Sequence, residues 1–292
     1  MIKEQSMENE PILKVTDLAY TYGNGQVGLK GVNLTIYKGE KIAVLGSNGA
    51  GKSTFFLNIN GVLTPEKGQI SYQGTVINKK TLKELRKNIG IVFQDADNQI
   101  IAPTVRAEVA FGPMNLKLPK EEVLNRVDQA LNYMNMQDYK DRPPHYLSGG
   151  EKKRVSIADI IAMKPEVIIF DEPTAALDPI NAQMLEEVLE KLSQEEKTML
   201  ISTHDVDFAY RWAQRIIVFA EGNIIADGSP LEIFKNQEIL EKANLTKPTL
   251  LTVYETLMEN QLLPKGCQAP QSIDAFKALF KEHKIPDLEM VL

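Results

Sequence analysis

The sequence predicts an α/β fold: a mostly parallel sheet between helices, with an N-terminal antiparallel β subdomain, an inserted helical subdomain and a C-terminal helical extension. Short continuous apolar runs recur at residues 42–45, 167–170 and 199–201, the pattern of strands covered on both faces. Between them lie stretches with apolar residues at helical spacing. The first segment instead alternates apolar and polar residues, as half-exposed strands do.

From residue 13 to 22 the alternation is partial, Gly23-Asn24-Gly25 offers a tight turn, and Val32, Leu34 and Ile36 alternate again, giving an antiparallel subsheet. Residues 42–45 (IAVL), bounded by Lys41 and Gly46, read as the first core strand. The span from about 86 to 164 reads as predominantly helical; after Pro119, Val123, Val127, Leu131 and Met134 mark one apolar face. Following the strand at 167–170, Asp178-Pro179 reads as an N-cap with proline in the first helical position, and Ile180, Met184, Val188 and Leu192 as the buried stripe of that helix. Another short helix starts at Ser229-Pro230. Beyond it Pro248, Pro264, Pro270 and Pro286 punctuate the chain, and Ile273, Phe276, Leu279 and Phe280 line one helix face. Residues 12–234 are therefore read as the main domain and 235–292 as a helical extension that serves dimerisation. As the alternative, Leu231, Ile233, Phe234, Ile239 and Leu240 pack on the core instead.

With 292 residues, 43% of them hydrophobic, the chain has enough apolar surface for a large core, which excludes disorder as its main state. A formal charge of -6 argues against a general grip on nucleic acid or anionic lipid. The single cysteine, Cys267, forms no internal disulfide, so the fold suits a reducing cytoplasm. The N-terminus lacks the apolar stretch of a secretory signal, and no apolar run approaches a bilayer span, so work at a membrane requires a separate anchor.

Residues 46–54, GSNGAGKST, satisfy G-x4-G-K-[ST] between a buried strand and a helical run, which makes the core one of P-loop NTPase type. Gly46, Ser47, Asn48, Gly49, Ala50 and Gly51 turn backbone N–H groups toward phosphate oxygens; Lys52 neutralises β/γ charge; the Ser53 hydroxyl ligates magnesium; Thr54 opens the helix. VIIFDE places Asp171 and Glu172 at the end of a buried strand, the edge where α/β sheets bind ligands. Asp171 suits a hydrated magnesium ion and Glu172 a proton taken from an attacking water. In LSGGEKKR, Ser148 and Glu151 have capping-box spacing, and Gly149 and Gly150 leave the helix N–H groups bare: a second anion site. Val155, Ala158, Ile161 and Ala162 point inward from that helix.

Together these residues resemble the ATP-binding cassette ATPases over about residues 12–232. GSNGAGKST resembles the Walker A loop, Gln94 the Q-loop glutamine, LSGGE the signature, VIIFDE Walker B, Ala176-Leu177-Asp178 the D-loop, and His204 the switch histidine. Tyr22 resembles the aromatic residue that stacks on adenine, with Tyr20 a weaker candidate. Glu151 departs from the glutamine of many relatives, but either side chain completes the capping box. The resemblance implies ATP and Mg2+ as ligands, with Glu172, His204, Lys52 and Gln94 catalytic and Ser53, Gln94 and Asp171 at the metal. It also implies a second cassette whose Ser148, Gly149, Gly150 and Glu151 close over ATP in trans.

Residues 94–116, QDADNQIIAPTVRAEVAFGPMNL, resemble the segment after the Q-loop in ATPases of energy-coupling factor importers, including the cobalt and nickel group. Asp97-Asn98-Gln99, Ile100-Ile101 and Ala110-Phe111-Gly112-Pro113 would then form a surface against a membrane partner's coupling helices. The implied protein is a peripheral ATPase on the cytoplasmic face of the cell membrane. It would act with an integral coupling subunit and a substrate-binding membrane subunit to import a transition metal ion or a vitamin. The alternative, a soluble cassette of translation or DNA repair, fits less well: those members join two cassettes in one chain or insert long coiled coils. A small-molecule kinase fails on the signature and D-loop.

Overall fold

In the computed structural model, which describes residues 11–175 and 177–283, the chain opens with two long antiparallel strands, β1 (Pro11–Thr21) and β2 (Val27–Tyr37). Then come β3 (Lys41–Leu45), α1 (Lys52–Ile59), β4 (Lys67–Tyr72), β5 (Thr75–Val76), α2 (Leu82–Asn88) and β6 (Ile89–Val92). Three helices follow, α3 (Val105–Asn115), α4 (Lys120–Tyr133) and α5 (Gly149–Met163). The chain returns through β7 (Val167–Asp171), α6 (Pro179–Gln194), β8 (Thr198–Ser202), α7 (Val206–Trp212), β9 (Arg215–Ala220) and β10 (Asn223–Gly228). It continues in α8 (Pro230–Lys235), α9 (Gln237–Ala243), α10 (Thr249–Glu259) and α11 (Ile273–His283).

Two sheets result. One is antiparallel in the order β2-β1-β4-β5; the other runs β10-β9-β3-β8-β7-β6 and is parallel apart from the β9–β10 hairpin. Side chains alternate across each core strand. Ile42 and Val44, with Ile169, Leu200 and Phe219, enter one cluster with Phe55 and Phe56 of α1 and with β1 and β2. Ala43 and Leu45, with Phe170, Ile201 and Val218, enter the other, against α4, α5 and α6. This two-sided burial is why the core strands read as unbroken apolar runs. Truncating the fully buried Phe170 to alanine is expected to cost about 3–5 kcal/mol.

Register positions the functional edge. Ser202 pairs with Val44 on one side and Asp171 on the other, so the ends of β3, β7 and β8 are level. The turns that leave them converge.

The structure corrects the reading in several places. On α6, Ile180 is 78% exposed and Met184 only partly buried; the packed stripe is Leu185, Val188, Leu189 and Leu192, set by the i, i+3, i+4, i+7 rule around the sheet contact. On α5, Ile161 is only partly buried, whereas Lys153, Ser156, Ile157 and Ile160 are enclosed because neighbours cover the helix on more than one side. The span 86–164 is predominantly helical as read, and the strand that precedes Gln94 is β6, the edge strand of the parallel sheet, with the helical layer beginning at Val105. Ile233, Phe234, Leu240 and Leu251 are buried against the core, while Ile273 on α11 is 59% exposed. Ala176 and residues 284–292, Pro286 among them, lie outside the described residues, as does the N-terminal stretch 1–10.

Candidate active site

The phosphate loop leaves β3 and turns into α1 through glycines in the left-handed region. Gly46 has φ 141° and a Cβ there would lie 2.3 Å from the Phe219 carbonyl oxygen; Gly51 has φ 109° and a Cβ would meet the Gly28 carbonyl at 2.8 Å. Gly51 caps α1 with no side chain, so the first N–H groups of the helix are left for an anion. The buried Lys52 ammonium donates to the carbonyls of Gly46 (2.7 Å) and Ser47 (3.2 Å) and stands 4.0 Å from Glu172 Oε1. Burial holds it below the usual lysine range, against the pull of Glu172 and Asp171.

At the next strand end, Ser202 joins the two acids: its hydroxyl donates to Asp171 Oδ1 at 2.6 Å and accepts from the Glu172 N–H at 2.8 Å. Glu172 itself has φ 49°, uncommon for a side-chain-bearing residue, and this swings its carboxylate from the buried strand toward Lys52. His204 Nε2 lies 3.0 Å from Glu172 Oε1. Burial pushes the Glu172 carboxyl up; His204 and Lys52 pull it down.

One cleft gathers these groups. Its walls are Tyr22, residues 24 and 26–28, residues 48–54, Gln94, Glu172 and His204. Gly46, Ser47 and Asp171 do not line it, but Lys52 ties the two carbonyls to the loop and Ser202 ties Asp171 to Glu172. The Tyr22 hydroxyl is 2.8 Å from Thr54 Oγ1, and its ring meets Tyr20 edge-on at 5.0 Å. Tyr20 packs on the core and is not a wall of the cleft.

The signature residues are elsewhere. Ser148 Oγ accepts from the Glu151 N–H at 3.3 Å and Glu151 Oε2 accepts from the Ser148 N–H at 2.7 Å, a complete capping box that holds the Glu151 carboxyl below the usual range. Ser148, Gly149, Gly150 and Glu151 lie outside the phosphate-loop cleft, with Ser148 and Gly149 exposed.

Residues 29–175 match the family described as ABC transporter. The chain is 48% identical to the energy-coupling factor transporter ATP-binding protein EcfA of Methanocaldococcus jannaschii, over 87% of this chain and 91% of that protein. The chain belongs to the ATP-binding cassette transporter family, among its energy-coupling factor ATPases. The solved structure of cbiO1 from Clostridium perfringens, part of the ABC transporter complex cbiONQ, resembles this cassette with a TM-score of 0.71 at 43% identity, over 86% of this chain and 99% of that one. A second cassette, solved as a dimer in a post-hydrolysis state with ADP and Pi bound, has a TM-score of 0.68 at 30% identity, covering 75% of this chain and 98% of its own.

The donor set of the cassette fits magnesium. Ser53, Gln94 and Asp171 offer hard oxygens, and among the described residues no cluster of three His, Cys, Asp or Glu side chains forms a closed metal cage. Magnesium binds in this way, with a few protein oxygens and the substrate's phosphates. Sequence reading missed Ser202, which orients both acids. It read residues 23–25 as a turn only, although Asn24, Gln26, Val27 and Gly28 wall the cleft. Ser202 had a faint signal, a hydroxyl at the end of an apolar strand; the β1–β2 loop had none, because its partner is distant in sequence.

Proposed function

We propose that this cassette hydrolyses ATP as the energy-coupling subunit of an importer, and that two cassettes close on ATP, each covering the phosphate loop of the other. One observation carries this reading: the cleft holds the phosphate loop, Gln94, Glu172 and His204 but none of residues 148–151, so a single chain supplies two incomplete halves. Glu172 accepts a proton from water in line with the γ-phosphate, and His204, 3.0 Å away, orients that carboxylate and contacts the γ-phosphate. Lys52 moves from its two carbonyls to the β/γ oxygens. Ser148 and the Gly150 N–H of the second cassette donate to the same phosphate, and Tyr22 stacks on adenine. Ser53, Gln94 and Asp171 would hold magnesium, which supplies charge neutralisation between the phosphates.

Among the described residues no helix is long and apolar enough to cross a membrane. Its likeness to the energy-coupling factor ATPases supports a place on the cytoplasmic face, held by an integral coupling subunit that acts with a substrate-binding membrane subunit. Of the residues read as that contact, Asp97, Asn98, Ile101 and Phe111 are exposed, Ile101 and Phe111 at 72% and 49%, whereas Gly112 and Pro113 are buried and Gln99, Ile100 and Ala110 only partly exposed, so Ile101 and Phe111 supply its apolar part. The region 235–292 holds the two cassettes together, and the cargo is a transition metal ion such as cobalt or nickel, or a vitamin.

Glu172→Gln is the decisive variant. It should lower turnover by roughly 10²- to 10⁴-fold, as loss of a general base does, while ATP still binds and drives association detectable by analytical ultracentrifugation. Near-native hydrolysis, or a monomer at saturating ATP, would refute the mechanism.

A further inference from the structure

The segment between β6 and α3 carries Gln94, and it lies along α5 with ties at successive points. Lys153 Nζ donates to the carbonyls of Phe93 (2.7 Å) and Gln94 (2.9 Å). Lys152 pairs with Asp97 at 2.6 Å. Farther along, Gln99 Nε2 donates to the Ser156 carbonyl at 2.9 Å while Gln99 Oε1 accepts from the Phe93 N–H at 3.3 Å.

These ties are unequal. Asp97 is mostly exposed, and an ion pair at the surface contributes little. Lys153 is 4% exposed, so its ammonium has exchanged water for those two carbonyls, and removing it strands both acceptors. Lysine suits the task because three donors on a long stem reach two successive carbonyls from the neighbouring helix. Lys153 is not a wall of the phosphate-loop cleft and takes no step in the proposed hydrolysis, although its charge also acts on Asp171 and Glu172, which the exchange readout does not sense.

We infer that Lys153 is a positioning residue: it fastens Gln94 to the signature helix, so that engagement of α5 by a second cassette is transmitted to Gln94 in the same chain. Ser148 at the helix cap and Lys153 five residues later belong to one rigid element, about 7.5 Å apart along its axis. One end meets the neighbour's nucleotide and the other holds the chain's own Gln94. The two nucleotide sites are thereby linked through a helix rather than through ATP alone. This rests on the assignment of Gln94 to the magnesium site.

The test uses the full chain and two readouts. By hydrogen-exchange mass spectrometry, Lys153→Met should speed exchange of amides 93–99 by about tenfold, as expected for the loss of buried hydrogen bonds. In ATPase assays the same variant should raise the magnesium concentration for half-maximal rate by about fivefold, yet leave KM for ATP within about twofold because Tyr22 and the phosphate loop are untouched. Lys152→Met, the exposed control, should move neither readout beyond about twofold. Unchanged exchange in Lys153→Met overturns the tie, and faster exchange with an unmoved magnesium requirement overturns its action on Gln94. If Gln94→Ala itself leaves the magnesium requirement unmoved, the assignment of Gln94 fails, and the exchange rates alone decide the tie. Should Lys153→Met not fold, Lys153→Gln keeps a polar group on a shorter stem with fewer donors: faster exchange of amides 93–99 supports the tie, and native-like exchange refutes it.

Discussion

Glu172 occupies a conformation that few side-chain-bearing residues adopt, at a backbone cost on the order of 1–3 kcal/mol, and its carboxyl is pushed up by burial. Both costs are local, and both serve to aim one oxygen at Lys52 and His204. Asp159 on α5 presents a second raised carboxyl with no such purpose in hydrolysis. Burial first, then repulsion by Glu108, pushes it up to about 7, against the hydrogen bond from Gln99, and its Oδ1 has no partner among the described residues. A carboxyl raised in the folded state contributes stability that is complete below its unfolded value near 3.9 and is lost as pH rises through about 7. Asp159→Asn should therefore gain on the native protein as pH rises from 4 to 8, reaching at most about 4 kcal/mol in urea unfolding. An advantage that is constant with pH would show that ionisation is not the cause. Residue identities at the nucleotide cleft were legible because each motif is local, whereas the perturbation of Asp159 depends on Glu108, which the fold brings close.

Elements divide by how they are specified. The start of α5 was readable because a capping box is written in four consecutive residues, and the structure contains both of its hydrogen bonds. Ser148→Ala should cost about 0.5–2 kcal/mol in chemical denaturation. Ser148→Asp keeps a cap acceptor and should keep most of that stability, yet its negative charge should abolish ATP-driven association of the Glu172→Gln protein. Association that survives Ser148→Asp would remove Ser148 from the second phosphate site. The stripe on α6 was misread by a fraction of a turn because Ile180 is apolar but exposed, and only the position of the sheet says which side of a helix is covered. Strands β4, β5 and β10 gave weaker signals: β5 has two residues, and β10 has no fully buried position.

At the scale of the molecule, the level ends of β3, β7 and β8 bring together residues as distant in sequence as Lys52, Glu172 and His204. The exposed apolar residues Ile101 and Phe111 are separate from that cleft. The double variant Ile101→Asp with Phe111→Asp should leave basal ATP turnover within about twofold, since no cleft group is touched, but release the cassette from the membrane subunits proposed to hold it and stop the proposed import. Retained assembly and uptake would move the coupling surface elsewhere.

Local chemistry, by itself, determined the class of fold, the phosphate loop, the acid pair and the capped signature helix, because glycine turns, buried strands and N-caps are short-range and carry their physics in adjacent residues. Only the tertiary structure decided that Ser202 bridges Asp171 and Glu172, that Lys153 holds the Gln94 segment, and that residues 148–151 do not line the cleft of the chain's own phosphate loop. Those relations depend on strand register and helix packing, which arise from the burial of two apolar layers across the whole chain and are encoded in no single stretch of it.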